Sequence, residues 1–100
     1  MTRLAGRVVL ITGGARGQGA SHAERLAREG AVVVTGDVLD EAGEETAARL
    51  RSEELDVRYR HLDVTDPGDW AAAVSDCGRL DVLVNNAGII HVAPLVSMDA

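Results

Sequence analysis

The chain has 100 residues, 46% of them apolar, with a formal net charge of −6, which suits one domain with a buried core. All ten basic residues are arginine and Tyr59 is the only tyrosine, so any mechanism that needs a lysine or a second tyrosine is excluded within these residues. The acidic balance and scattered arginines disfavour a nucleic-acid partner, the single cysteine, Cys77, rules out an intrachain disulfide, and no apolar run reaches the ~18–20 residues of a membrane-spanning helix. The start, Met1 to Gly6, lacks the layout of a signal peptide, and a cytoplasmic protein is expected.

Arg7 to Ile11 reads as a first strand, a nearly continuous apolar run of the kind covered on both faces. A helix over Gly17 to Glu29 follows. Its Ala20, Ala23 and Ala27 share one face that can approach a sheet closely, and Gly30 terminates it. Ala31 to Gly36 is the second strand. The second helix spans Asp40 to Glu53, with Asp40 as the expected cap and Glu41, Glu44 and Glu45 on the side the helix dipole favours. Gly43 weakens it by about 1 kcal/mol relative to alanine. Val57 to Leu62 is a third strand. It alternates, with Val57, Tyr59 and His61 on one side and Arg58, Arg60 and Leu62 on the other, as suits a charged sheet edge. Asp66 caps a third helix, with Pro67 at its first position and Asp69 expected to reach back to the cap amide. That helix stops near Gly78. Leu80 to Val84 is the fourth strand, and Ile89 to Ala100 reads as a loop.

The order β-α-β-α-β-α-β with short connections implies an α/β fold. Such alternation favours a parallel sheet with helices packed on its faces, and right-handed crossovers leave few topologies for it.

The run Thr12-Gly13-Gly14-Ala15-Arg16-Gly17-Gln18-Gly19 leaves the first strand and opens the first helix. Glycine permits positive φ in a tight turn and lets backbone amides approach a pyrophosphate. The helix N-terminus adds unpaired N–H groups and partial positive charge. The bland alternative, a flexible turn, is weakened by the strand before it and the helix after it. Asp37, with Val38 beside it, closes the second strand eighteen residues after Gly19. That is the spacing of the carboxylate that accepts hydrogen bonds from an adenosine ribose. A carboxylate there repels a 2′-phosphate, so NAD is expected over NADP, although Arg16 could pair with such a phosphate.

The loop from Thr12 to Gly19 resembles the TGxxxGxG motif of the short-chain dehydrogenases/reductases. Asp63-Val64 after the third strand and Asn85-Asn86-Ala87-Gly88 after the fourth match further motifs of that family in order. The runs Asp37-Val-Leu-Asp40 and His61-Leu-Asp-Val-Thr65 are similar to those of bacterial 3α(or 20β)-hydroxysteroid dehydrogenases within it. The resemblance implies that Gly13, Arg16, Gly17, Gln18 and Gly19 hold the pyrophosphate and adenosine side. Asp37 and Val38 would lie at the adenine ribose, Asp63 and Val64 would frame adenine, and Asn86, Ala87 and Gly88 would line the cofactor toward the nicotinamide. Asn85 would tie the sheet together. The resemblance also implies a Rossmann-like, doubly wound parallel sheet, of which these residues form the N-terminal βαβαβαβ portion with strand order 3-2-1-4.

The family's reaction is hydride transfer between nicotinamide and a secondary alcohol or ketone. It uses a serine and a Tyr-x-x-x-Lys pair that the resemblance places beyond Ala100, so no catalytic residue is expected here. Tyr59 is no candidate, because position 63 is Asp63, and it reads as a packed edge-strand aromatic. His22, His61 and His91 lack metal-ligand spacing. His22 reads as an exposed helix residue, and His91 could line a substrate pocket.

Three readings follow: the cofactor-binding part of a dehydrogenase, a dinucleotide-binding module without turnover, or a non-functional remnant. The complete family member is expected to be a homotetramer. The 100-residue chain is expected to self-associate through an unpaired Leu80–Val84 edge.

Overall fold

The computed structural model describes residues 4–86 and the backbone of residues 89–91. Val8–Thr12 forms strand β1, in which every residue but Leu10 is β-branched, the composition that packs well on a pleated surface. Helix α1 (Gly17–Arg28), strand β2 (Val32–Asp37), helix α2 (Asp40–Arg51), strand β3 (Val57–His61), helix α3 (Pro67–Cys77) and strand β4 (Val82–Asn85) alternate after it. A short strand β5 (Ile89–His91) ends the described part.

The sheet order is β3-β2-β1-β4-β5. β1 pairs in parallel with both β2 and β4, and β2 with β3. The connections β1–β2 and β2–β3 step in one direction, whereas β3–β4 returns across two strands. Right-handed crossovers then put the helices on opposite faces. On one face Val9, Ile11, Val33, Val57 and Val84 meet Ala23 and Ala27 of α1 and Ala47 and Leu50 of α2. On the other, Leu10, Val34 and Leu62 meet Ala73 of α3, with Trp70, Val74, Leu80 and Leu83 packed around them. The parallel order 3-2-1-4 and the edge position of β3 are as expected from the sequence.

Helix α1 ends as its sequence suggests. Gly30 stands at φ +97°, and its N–H and that of Ala31 donate back to Ala27 and Leu26, satisfying carbonyls that the helix end leaves open. Asp66 does cap α3, accepting from the Gly68 and Asp69 amides.

Several expectations fail for identifiable reasons. Asp40 does not cap α2, because its carboxylate is engaged by Tyr59 and His61. Leu39 occupies the cap position without a side-chain bond. Asp69 does not close a capping box, because it binds the Asp63 amide. His22 is half-buried, beside an apolar groove formed by Leu4, Val9, Leu26, Val82 and Val84. β4 starts later than expected. Asp81 precedes it as a bridge, its N–H donating to the Val8 carbonyl and its carboxylate accepting the Val8 N–H. The expected loop after Gly88 begins instead with β5, antiparallel to β4 through Leu83↔His91, Val84↔Ile90 and Asn85↔Ile89. The β4 edge is therefore paired, which removes the stated ground for self-association.

Candidate functional site

Because β4 docks beside β1 rather than beside β3, the carboxyl ends of the strands splay and leave a crevice at the reversal. It is a cleft of about 400 Å³. Thr12 and Gly13 line it from the end of β1, Asp37 and Val38 from β2, Leu62, Asp63 and Val64 after β3, and Asn85 and Asn86 from the end of β4. Of the residues singled out from sequence, Gly13, Asp37, Val38, Asp63, Val64 and Asn86 are thus brought together. Arg16, Gly17 and Gln18 stand exposed at the start of α1, and Gly19 is buried. Ala87 and Gly88 lie outside the described residues.

The glycine loop is held from three sides. Gly13 donates to the Gly36 carbonyl at 2.8 Å. Ala15 donates its N–H to Asp37 Oδ2 at 3.1 Å and accepts at its carbonyl from Thr46 Oγ1 at 2.7 Å. Gly17 turns the chain at φ +62°, a region that favours glycine. Gly19 lets α1 settle on the loop: a Cβ there would stand 1.9 Å from the Gly13 carbonyl oxygen.

On the β4 side, Thr12 Oγ1 donates to Asn85 Oδ1 at 3.1 Å and accepts the Asn86 N–H at 3.2 Å. The Asn86 amide reaches the Gly13 carbonyl at 3.4 Å. On the β3 side, the Asp63 N–H donates to Asp69 Oδ2 at 2.9 Å, and Trp70 Nε1 donates to the Val64 carbonyl at 2.7 Å. Helix α3 thus fixes that wall.

The charges divide along the site. α2 carries Asp40 and Glu41 in its first turn, and α3 has its Asp66 cap with Asp69 behind it. α1 has neither a side-chain cap nor an acidic residue in its first turn, so its N-terminal amides and partial positive charge remain available to an anion. Two carboxylates face the other part of the cleft. Asp63 accepts from the Thr65 hydroxyl and amide, which hold its carboxyl below the usual carboxylate range. Asp37 Oδ1 takes the Val38 and Leu39 amides and Oδ2 takes Ala15. Of a carboxylate's roughly four acceptor sites, about one is left for an incoming hydroxyl. An uncapped helix start next to two carboxylates, Asp37 with acceptor capacity to spare, fits a nucleotide with its phosphates on one side and its ribose on the other.

Thr46 and Tyr59 were not legible as contributors to this site. Thr46 reaches Ala15 in the glycine loop, and Tyr59 reaches Asp37 at the end of β2 and Asp40 at the start of α2, partners far along the chain that no local pattern marks.

Comparison with known proteins agrees with this geometry. The sequence profile of the family described as short chain dehydrogenase matches residues 7–100. A 3-alpha-(or 20-beta)-hydroxysteroid dehydrogenase of Mycobacterium tuberculosis is 52% identical over 97 residues, covering 93% of this chain and 36% of that protein. A cyclopentanol dehydrogenase of Comamonas testosteroni is 43% identical over 99 residues, covering 95% of this chain and 40% of its own. Among solved structures, a Pseudomonas aeruginosa RhlG/NADP active-site complex superposes with TM-score 0.77 at 39% identity, covering 88% of this chain and 37% of that one. The chain therefore spans between about a third and two fifths of the length of these relatives. With that profile matching residues 7–100 and relatives this similar in sequence, the chain belongs to the short-chain dehydrogenase family.

Proposed function

We propose that this chain holds the nicotinamide dinucleotide of an oxidoreductase and prefers NAD(H) to NADP(H). The observation that carries the reading is the Asp37 carboxylate at the end of β2. It lines the cleft and anchors Ala15 of the glycine loop in the same gesture. The α1 amides, with Gly13, Arg16, Gly17 and Gln18, would receive the pyrophosphate, while Gly19 holds α1 against the loop. Asp37 and Val38 would lie along the adenine ribose, Asp63 and Val64 would frame adenine, and Asn86, Ala87 and Gly88 would continue toward the nicotinamide. The bound cofactor supplies the hydride chemistry. The chain's own residues bind and orient it.

A 2′-phosphate would be forced against Asp37, with Asp63 in the same cleft, and like charges in contact are disfavoured. The relative solved with NADP makes the comparison of both cofactors the right test. Titration of NADH and NADPH into the chain, followed by calorimetry, should give saturable binding with NADH tighter by about tenfold or more. Equal or tighter binding of NADPH would defeat the NAD assignment, and no saturation with either would defeat the cofactor reading.

For the longer protein we propose oxidation or reduction of a ring-borne secondary alcohol or its ketone, a hydroxysteroid first. The support is the chemistry in the names of the hydroxysteroid and cyclopentanol relatives. The 100 residues contain no lysine and so no Tyr-x-x-x-Lys pair. By themselves they should bind without turnover, which is also what a free-standing binding module would do. A homotetramer for the complete protein rests on the family resemblance. A cytoplasmic setting is proposed on the single cysteine, Cys77, which suits a reducing compartment. Among the described residues, no helix is long and apolar enough to cross a membrane.

A further inference from the structure

We propose that Tyr59 is a positioning residue whose hydroxyl tethers the Asp37–Asp40 turn and thereby aims the Asp37 carboxylate into the cleft. The inference rests on the reading of Asp37 as the partner of the adenine ribose.

Tyr59 stands on the edge strand β3, opposite Thr35 of β2. Its ring lies against Gly43 of α2: a Cβ at Gly43 would stand 2.1 Å from Tyr59 Cε1 and 2.6 Å from Cζ. The helix carries its least favourable non-proline residue at the place where the ring needs the space. Seated there, the hydroxyl oxygen lies 2.7 Å from the Asp37 carbonyl oxygen and 2.6 Å from Asp40 Oδ1. A phenol has one proton to donate, but both acceptors belong to one four-residue turn, so donation to either holds that turn to β3. His61 Nδ1 approaches the same Asp40 oxygen at 2.9 Å, and its Nε2 lies 3.9 Å from Asp69 Oδ2.

Val38 and Leu39, the middle residues of the turn, are 53% and 40% exposed, so polar bonds rather than packing hold it. The Leu62 N–H donates to the same Asp37 carbonyl at 2.9 Å and the Gly43 N–H to the Leu39 carbonyl at 2.8 Å, and the Tyr59 hydroxyl bridges the two ends of the turn, Asp37 and Asp40. The carbonyl that Tyr59 grips is only three bonds from the Asp37 carboxyl carbon. That carboxylate holds the amides of Ala15, Val38 and Leu39. Loss of the tether would shift the carboxylate and its grip on the glycine loop together. Desolvation, with the neighbouring Asp40, Asp37 and Glu44 carboxylates, pushes the Tyr59 hydroxyl well above the ordinary phenol value. The donor therefore keeps its proton at neutral pH.

The test titrates AMP and 2′-deoxy-AMP into the chain and into Tyr59→Phe, with calorimetry as the readout. The variant keeps the ring in its notch and removes only the hydroxyl. AMP should weaken about fivefold, the worth of one ordinary hydrogen bond, while 2′-deoxy-AMP changes by less than about twofold. A merely structural role would weaken both equally, and that result, or no change in either, overturns the proposal. Should circular dichroism show the variant unfolded, Gly43→Ala decides: it drives the ring out of the notch with the hydroxyl intact, and it must lose the same discrimination between the two nucleotides. Discrimination retained in a folded Gly43→Ala would overturn the proposal. If the unaltered chain binds AMP but does not tell it from 2′-deoxy-AMP, the ribose reading of Asp37 is what fails, and the tether falls with it.

Discussion

His61 and Asp40, both well exposed, pair beside the residues that line the cleft and give the chain a pH signature. The bond to Asp40 raises the His61 value above its ordinary 6.5, with Asp69 and Asp63 adding to it. The Tyr59 and His61 bonds lower Asp40 below its ordinary 3.8. A histidine with a raised folded-state value contributes stability that is fully present below its unfolded value and is lost as pH rises through the folded one. For the lowered carboxylate, the contribution is present above the unfolded value and lost as pH falls through the depressed one. The pair therefore works best between the two ordinary values. Melting temperature should fall from about pH 6 to about pH 8 more steeply in the unaltered chain than in His61→Gln, and parallel slopes would exclude the pair from the pH response. At this scale the sequence revealed residues whose job is set by backbone geometry, such as Gly17 and Gly19. It did not reveal Tyr59 or Thr46, because a side-chain bond to a partner about twenty to thirty residues away depends on strand register and helix placement, which no local spacing encodes.

Among the elements, α3 is the one whose start is written most plainly. Asp66 accepts from Gly68 and Asp69 at 2.8 and 3.3 Å, and Pro67 follows it. Asp66→Ala should lower the unfolding free energy by about 1 kcal/mol in urea titration. A loss near zero would mean that Pro67 and the tertiary contacts of α3 set its start unaided. The same kind of residue misled at α2, where Asp40 looked like a cap and is instead drawn to β3. An aspartate's preference for a cap is a local tendency of about the size of one hydrogen bond, and two tertiary partners outweigh it. β5 was illegible for another reason. Three residues carry neither alternation nor a turn signal long enough to count, and its pairing is supplied by β4 after that strand is in place.

For the molecule as a whole, alternation of strand and helix together with the handedness of crossovers gave a parallel sheet covered on both faces and left few arrangements, and the family resemblance carried by the glycine loop and the Asn85-Asn86 run singled out the order 3-2-1-4. The position of the cleft followed from the same reversal. Its lining did not follow completely, since Leu62 enters it only through the way the chain bends after β3. The Thr12–Asn85 bond, whose partners stand 73 positions apart, and the Asn86–Gly13 contact close that cleft. Contacts so remote in sequence are expensive in loop-closure entropy and belong to slow steps of folding. A nucleotide that needs both walls has no complete site on a chain whose β4 is still undocked. Bound there as proposed, it would select molecules in which the two walls have met and shift the folding equilibrium toward them by mass action, so that the amount of folded chain would rise with cofactor supply.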